Sequence, residues 1–152
     1  MKRLHISVGV KDLQRSVEFY TTLFDAEPTV TRPGYAKWML EDPSVNFVLD
    51  AHGCRQGVDH LGIQVDNDDE LEGITTRLAQ AEAPLLEQEG AECCFSKGDK
   101  SWSQDPEGVR WEAFRTHGQI GWYGADTALS EMPPDAVPES CCAVTPSAAT
   151  PK

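Results

Sequence analysis

Basic residues are scarce in this chain: 13 Lys and Arg stand against 25 Asp and Glu in 152 residues, a formal charge of -12. Such a surface repels phosphate backbones and anionic bilayers at long range, which excludes nucleic acid and membrane surfaces as partners. Long apolar runs are missing too. Met1-Lys2-Arg3 is basic, but the apolar stretch behind it contains His5 and stops at Lys11, too short for a signal peptide. No later run approaches a membrane span. A disulfide framework is also lacking. The five cysteines, Cys54, Cys93, Cys94, Cys141 and Cys142, are odd in number, and four form adjacent pairs. Neighbouring Cα atoms lie about 3.8 Å apart, whereas disulfides span about 4.4 to 6.8 Å, so each pair is expected to persist as a dithiol. A reducing cytoplasm is the expected compartment.

What is present reads as one domain with a tail. Leu4 to Val10 alternates as a strand, with His5, Ser7 and Gly9 on one face and branched residues on the other. Asp12 is placed to cap a helix carrying Leu13, Val17, Tyr20 and Leu23 or Phe24 at helical spacing. Strands are expected over Tyr35 to Leu40 and Val45 to Leu49, after turns at Arg32-Pro33-Gly34 and Asp42-Pro43. Asp59 to Val65 then repeats Leu4 to Val10 almost position for position. A second helix follows with Leu71, Ile74 and Leu78 in one stripe and Asp69 with Glu72 resembling a capping box. Beyond Pro84 come the cysteine segment, a strand around Ser101 to Ser103, a type I turn at Asp105-Pro106-Glu107-Gly108, and a last strand from Val109 to Arg115.

The plan is therefore a β-α-β-β-β unit written twice, an α+β arrangement with modules at about 1–54 and 55–118. From Gly118 periodicity fades into a Pro-, Ser- and Ala-rich segment, so 119–152 is expected to be a flexible tail, with Ile120, Trp122 and Tyr123 available to dock on the domain.

Superposing the halves pairs His5 with His60 and sets Glu112 against Val48. Two imidazoles and one carboxylate on one face of an octahedral ion leave positions open for dioxygen and water, so the three point to a transition-metal site. The plain alternative is two ordinary strand histidines and a solvated edge charge; their symmetric placement argues against it. Imidazole and carboxylate suit Mn, Co, Ni and Zn as well as iron. Cys93 and Cys94 form a candidate thiol clamp for a soft substrate. Successive strand residues point to opposite faces, so both sulfurs reach one atom only where the backbone is irregular, and a loop is expected there. For a generic vicinal pair, one buried and one exposed thiol is the commoner case. Cys54 has no assignable role, Cys141-Cys142 is either a second capture site or incidental, and His52 and His117 are expected to be surface residues.

The duplicated plan, with histidines opening the first strand of each half and Trp111-Glu112-Ala113-Phe114 in the last strand, resembles the vicinal oxygen chelate superfamily over residues 3 to 116. That superfamily includes glyoxalases, extradiol dioxygenases and bleomycin or fosfomycin resistance proteins. Cys93-Cys94-Phe95, Asp99-Lys100, Trp102 and Asp105-Pro106 are similar to the carbon-arsenic lyases of trivalent organoarsenicals and to the related cadmium-induced proteins. The resemblance implies a curved mixed sheet around a metal held by His5, His60 and Glu112. It also implies Fe(II) as that metal, dioxygen as co-substrate, and release of arsenite from methylarsenite held by Cys93 and Cys94. Lys100 and Trp102 would flank the substrate, Lys100 drawing an anionic oxygen and Trp102 covering the organic group. A non-catalytic cadmium or arsenite binder and a glyoxalase-like isomerase are the alternatives, and the chain is expected as a monomer or homodimer.

Overall fold

The computed structural model describes residues 2–53 and 55–124; Cys54 and the tail pair Cys141 and Cys142 lie outside the described residues. The first module comprises β1 (Arg3–Gly9), α1 (Leu13–Phe24), β2 (Val30–Arg32), β3 (Tyr35–Glu41) and β4 (Ser44–Asp50). The second comprises β5 (Gly57–Gln64), α2 (Asp68–Gln80), β6 (Leu85–Cys93), β7 (Ser96–Gln104) and β8 (Arg110–Gln119). This is the α+β plan expected. Its shortest strand, β2, has three residues wedged between Pro28 and Pro33 and gives almost no periodic signal.

All eight strands join one mixed sheet in the order β2-β3-β4-β1-β5-β8-β7-β6. The two first strands, β1 and β5, meet antiparallel at its centre, and each lies parallel to the last strand of its own module, β1 to β4 and β5 to β8. The register verifies the internal alignment. His5 is partnered by Asn46 and Ser7 by Val48, while Gly62, the counterpart of Ser7, is partnered by Glu112. Val48 and Glu112 are thus equivalent positions.

Helix α1 begins where Asp12 accepts from the Arg15 amide at 3.0 Å. For α2 the cap is Asn67, which accepts from the Glu70 amide at 2.9 Å. The capping pair expected at Asp69 and Glu72 is therefore two residues too late, because Asn67 takes the same role two residues earlier. Both helices cover one face of the sheet. Ala36, Trp38, Val45, Phe47 and Leu49 form the first core with Ile6, Val8, Val17, Tyr20 and Phe24 against them, and Val65, Ile74 and Ala113 form the second with Ile63, Leu71 and Leu78.

Alternation in β4 gives the sheet its other identity. Val45, Phe47 and Leu49 belong to the core, whereas Asn46, Val48 and Asp50 line a pocket on the opposite side. The same alternation sends His5 and Ser7 of β1 into that pocket.

Candidate metal and thiol site

The pocket encloses a cavity of about 90 Å³, room for several water-sized atoms. Its floor is made by β1, β5 and β8. His5 and Glu112 are buried, 5% and 4% exposed, and His60 is nearly so. Their three donor atoms lie within 4.8 Å of one another: His5 Nε2 stands 3.2 Å from His60 Nε2, and Glu112 Oε2 lies 3.8 Å from the first and 3.6 Å from the second.

The outer ring nitrogens decide what this convergence means. His5 Nδ1 lies 3.0 Å from the Asn46 carbonyl and His60 Nδ1 lies 2.7 Å from an Asp59 carboxylate oxygen. Both partners are acceptors, so in each neutral ring the proton sits on Nδ1 and the Nε2 lone pair faces inward. Two lone pairs and a carboxylate oxygen aimed at one point repel unless a proton or a metal ion stands among them. Fixing the tautomer through an acceptor on the far nitrogen is how proteins orient metal-binding imidazoles. The donor set therefore fits a divalent metal, and His5, His60 and Glu112 can hold one.

The electrostatics follow from burial and these neighbours. Burial, then the neighbouring His60, lowers His5 to a pKa of about 4. Burial also disfavours a charged His60, but the bonds to Asp59 and Glu112 outweigh it and raise the group above its ordinary value. Burial likewise opposes the Glu112 carboxylate, yet Lys100, His60 and His5 overcome it and hold the acid far down. Lys100 Nζ lies 2.5 Å from Glu112 Oε1, so one carboxylate oxygen is committed to the ammonium and the other faces the imidazoles. Lys100 also stands 5.6 Å from the Trp102 ring centre, and Trp102, fully buried, meets His60 edge-on at 5.1 Å while its indole N–H donates to Gln88.

Gly62, between His5 and Glu112 in the sheet, escaped the sequence reading. A Cβ there would lie 2.4 Å from the Glu112 carbonyl oxygen, so only glycine lets β8 approach β5 this closely. Asp59 was missed as well: it is tied to Arg110 at 2.7 Å and so steadied behind His60. Its signal was its place directly before His60.

The cysteines stand at the rim. Cys93 is the last residue of β6, paired with Ser96, and the two-residue turn Cys94-Phe95 has φ of 54° and 63°. Positive φ at both central residues is the hairpin turn that Asn and Gly usually occupy, and a left-handed Cys or Phe costs about 1 to 2 kcal/mol. The irregular backbone expected at this point is this turn, which brings the sulfurs to 2.9 Å with neither in a disulfide, Cys93 buried and Cys94 partly exposed. The Phe95 ring holds the turn down, edge-on to Tyr35 at 5.4 Å and Tyr123 at 5.5 Å. Strain maintained by surrounding contacts in this way is typical of ligand clamps. His5, His60, Glu112, Cys93, Cys94, Lys100 and Trp102 all line the one pocket.

Residues 2–113 match the model of the Glyoxalase/Bleomycin resistance protein/Dioxygenase superfamily. The chain belongs to that superfamily. Among curated relatives, the trivalent organoarsenical cleaving enzyme of Bacillus sp. (strain MD1) is 41% identical over 76% of this chain and 74% of its own. The cadmium-induced protein CadI of Mycobacterium tuberculosis (strain H37Rv) is 31% identical over 93% of each. A superfamily member from Vibrio splendidus 12B01 has the same fold at 16% identity, with a TM-score of 0.51 over 76% of this chain and 99% of that one. Among the described residues no helix is long and apolar enough to cross a membrane.

Proposed function

We propose that the protein cleaves the carbon-arsenic bond of trivalent organoarsenicals such as methylarsenite, with Fe(II) held by His5, His60 and Glu112 and dioxygen as co-substrate. The observation that carries this reading is a vicinal dithiol, its sulfurs 2.9 Å apart and in no disulfide, opening onto the same pocket as a two-imidazole, one-carboxylate donor set. Trivalent arsenic is soft and prefers thiolate to oxygen. Each thiol displaces one hydroxyl of methylarsenite: a sulfur-arsenic bond forms, an arsenic-oxygen bond breaks, and the thiol proton leaves with the hydroxide as water. Cys93 and Cys94 thereby turn the remaining methyl group into the pocket, where the Trp102 ring covers it. Iron(II) supplies the redox chemistry with dioxygen that the carbon-arsenic bond requires. Lys100 keeps Glu112 ionised and its Oε1 engaged, which leaves Oε2 for the metal. Cysteines outside any disulfide fit a reducing cytoplasm.

A second reading has support in the relatedness to the cadmium-induced protein: the same donors sequester a thiophilic ion without chemistry. Anaerobic loading with iron(II), then air and methylarsenite with arsenic speciation of the products, separates the two. Arsenite release that depends on iron and air supports the lyase; stoichiometric retention of unchanged methylarsenite supports the binder. Cys93→Ser and Cys94→Ser are each expected to abolish arsenical binding while iron content stays normal, because a hydroxyl is harder and far less acidic than a thiol.

A further inference from the structure

The described chain continues past β8 into residues 120–124, beyond the stretch matched by the superfamily model, and this segment returns to the thiol turn. The Ile120 amide donates to the Phe95 carbonyl at 2.9 Å. Tyr123 then lies across the first module, its ring stacked on His52 with centroids 4.2 Å apart and planes at 28°. Its hydroxyl donates to Asp50 Oδ2 and accepts from Cys94 Sγ at 3.8 Å. On the far side of the same carboxylate, Asp50 Oδ1 lies 2.9 Å from His52 Nδ1, and His52 is open to solvent. These contacts form one unbroken line from a thiol at the pocket rim to the surface.

We infer that Tyr123 and Asp50 are a proton relay for Cys94 in the capture of trivalent arsenic, with His52 as its outlet to solvent; this rests on the reading of Cys93 and Cys94 as the arsenical clamp. As the Cys94 sulfur-arsenic bond forms, its S–H bond breaks and the proton passes to the Tyr123 oxygen. The phenol's own proton moves to Asp50 and on to His52. The arsenic-oxygen bond then breaks, and a proton returned along the same path leaves with the hydroxide as water. No electrons are gained or lost.

The surroundings support this. Burial, then the neighbouring Cys94 and the Asp50 bond, push the Tyr123 phenol far above its ordinary range, so it keeps the proton that a relay must pass on. Tyr35 and Lys37 of β3, Asp50 of β4, Lys97 and Lys100 of β7, Arg115 of β8 and Tyr123 are the other titratable or charged groups that line the pocket on the thiol side. Tyr123 accepts a hydrogen bond from the Cys94 sulfur, which also lies 2.9 Å from Cys93 Sγ.

The test is the rate of methylarsenite capture by the anaerobic full-length protein, followed by stopped-flow tryptophan fluorescence with free-thiol counting, between about pH 7 and pH 9.5. Tyr123→Phe keeps the ring against His52 and Phe95 and removes only the hydroxyl. Capture by this variant is expected to be slower by about tenfold or more at pH 7, since a positioned proton acceptor contributes about 10² to 10⁴. The gap should close to about twofold at the alkaline end, where hydroxide takes the thiol proton without a relay. His52→Gln, which keeps an N–H for Asp50 but cannot take up a proton, is expected to show the same pH pattern at smaller amplitude and serves if the first variant folds poorly. Slowing that is equal at every pH makes Tyr123 a brace and overturns the relay, as does capture at the wild-type rate throughout. If the wild type captures no methylarsenite, or Cys93→Ser captures it normally, the clamp reading fails and the relay with it.

Discussion

His5 and His60 aim their Nε2 atoms at each other across 3.2 Å, although neither is the other's partner in the sheet: His5 is opposite Gly62 and His60 is opposite Ser7. Diagonal placement on two antiparallel strands puts both rings on one face while leaving a gap beside each. Into that gap, across the side chain that Gly62 lacks, reaches Glu112 from the next strand.

Metal binding should lean on Asp59. Asp59→Asn keeps a hydrogen-bonding group beside His60 and Arg110 but frees the imidazole tautomer and removes the charge, and metal affinity is expected to fall about 10- to 100-fold. Equilibrium titration with the metal measures it. Unchanged affinity would mean that the 2.7 Å bond from His60 Nδ1 does not govern the site.

Gly62→Ala should damage the scaffold and the site together. The added methyl would meet the Glu112 carbonyl oxygen at 2.4 Å, which is backbone and cannot swing aside. Overpacking of this sort costs about 1 to 3 kcal/mol, and the shift of β8 would carry Glu112 away from the imidazoles. A lower melting temperature with weaker metal binding is expected; a fully native variant would show that β5 and β8 tolerate the wider spacing.

Val48→Glu tests the symmetry of the modules. Val48 lines the pocket at the position equivalent to Glu112, with Lys37 as its cross-strand partner. A carboxylate there is expected to raise metal affinity by filling an open position and to lower turnover. Spectroscopy of the loaded variant reads the change in ligand set. Normal turnover with unchanged metal binding would place residue 48 out of reach.

Loading with a divalent metal should release protons near neutrality. In the metal-free protein the His60 pKa is raised, since Asp59 and Glu112 outweigh burial. The stabilisation from that bound proton is complete below the unfolded value of about 6.5 and is lost as pH rises through the higher folded value. A metal displaces the proton, so release is expected to be full below the raised folded value, including near pH 6.5, and to vanish above it. Calorimetry in buffers of different ionisation enthalpy counts these protons; binding heats independent of buffer across that window would mean that His60 is already neutral.

Much of this protein was legible in its residues. Period-two alternation wrote β1, β4 and β5, helical stripes wrote α1 and α2, and the duplication alone pairs His5 with His60 and Val48 with Glu112. These are local patterns, and a repeated local pattern places equivalent residues at equivalent points of a fold. The sequence also marked Cys93 and Cys94 as needing irregular backbone, because side-chain alternation forbids two neighbours from facing one atom on a regular strand. What it could not determine were contacts between segments far apart in the chain. The tautomers of His5 and His60 depend on Asn46 and on an Asp59 steadied by Arg110, 51 residues away in β8. The need for glycine at position 62 exists only because β8 lies against β5. Tyr123 and His52 looked like tail and surface, and only the return of the chain after β8 stacks them together and brings the phenol to Cys94. Such relationships arise from which strands become neighbours and how closely they approach, and that is settled by packing the whole sheet rather than by any stretch of it.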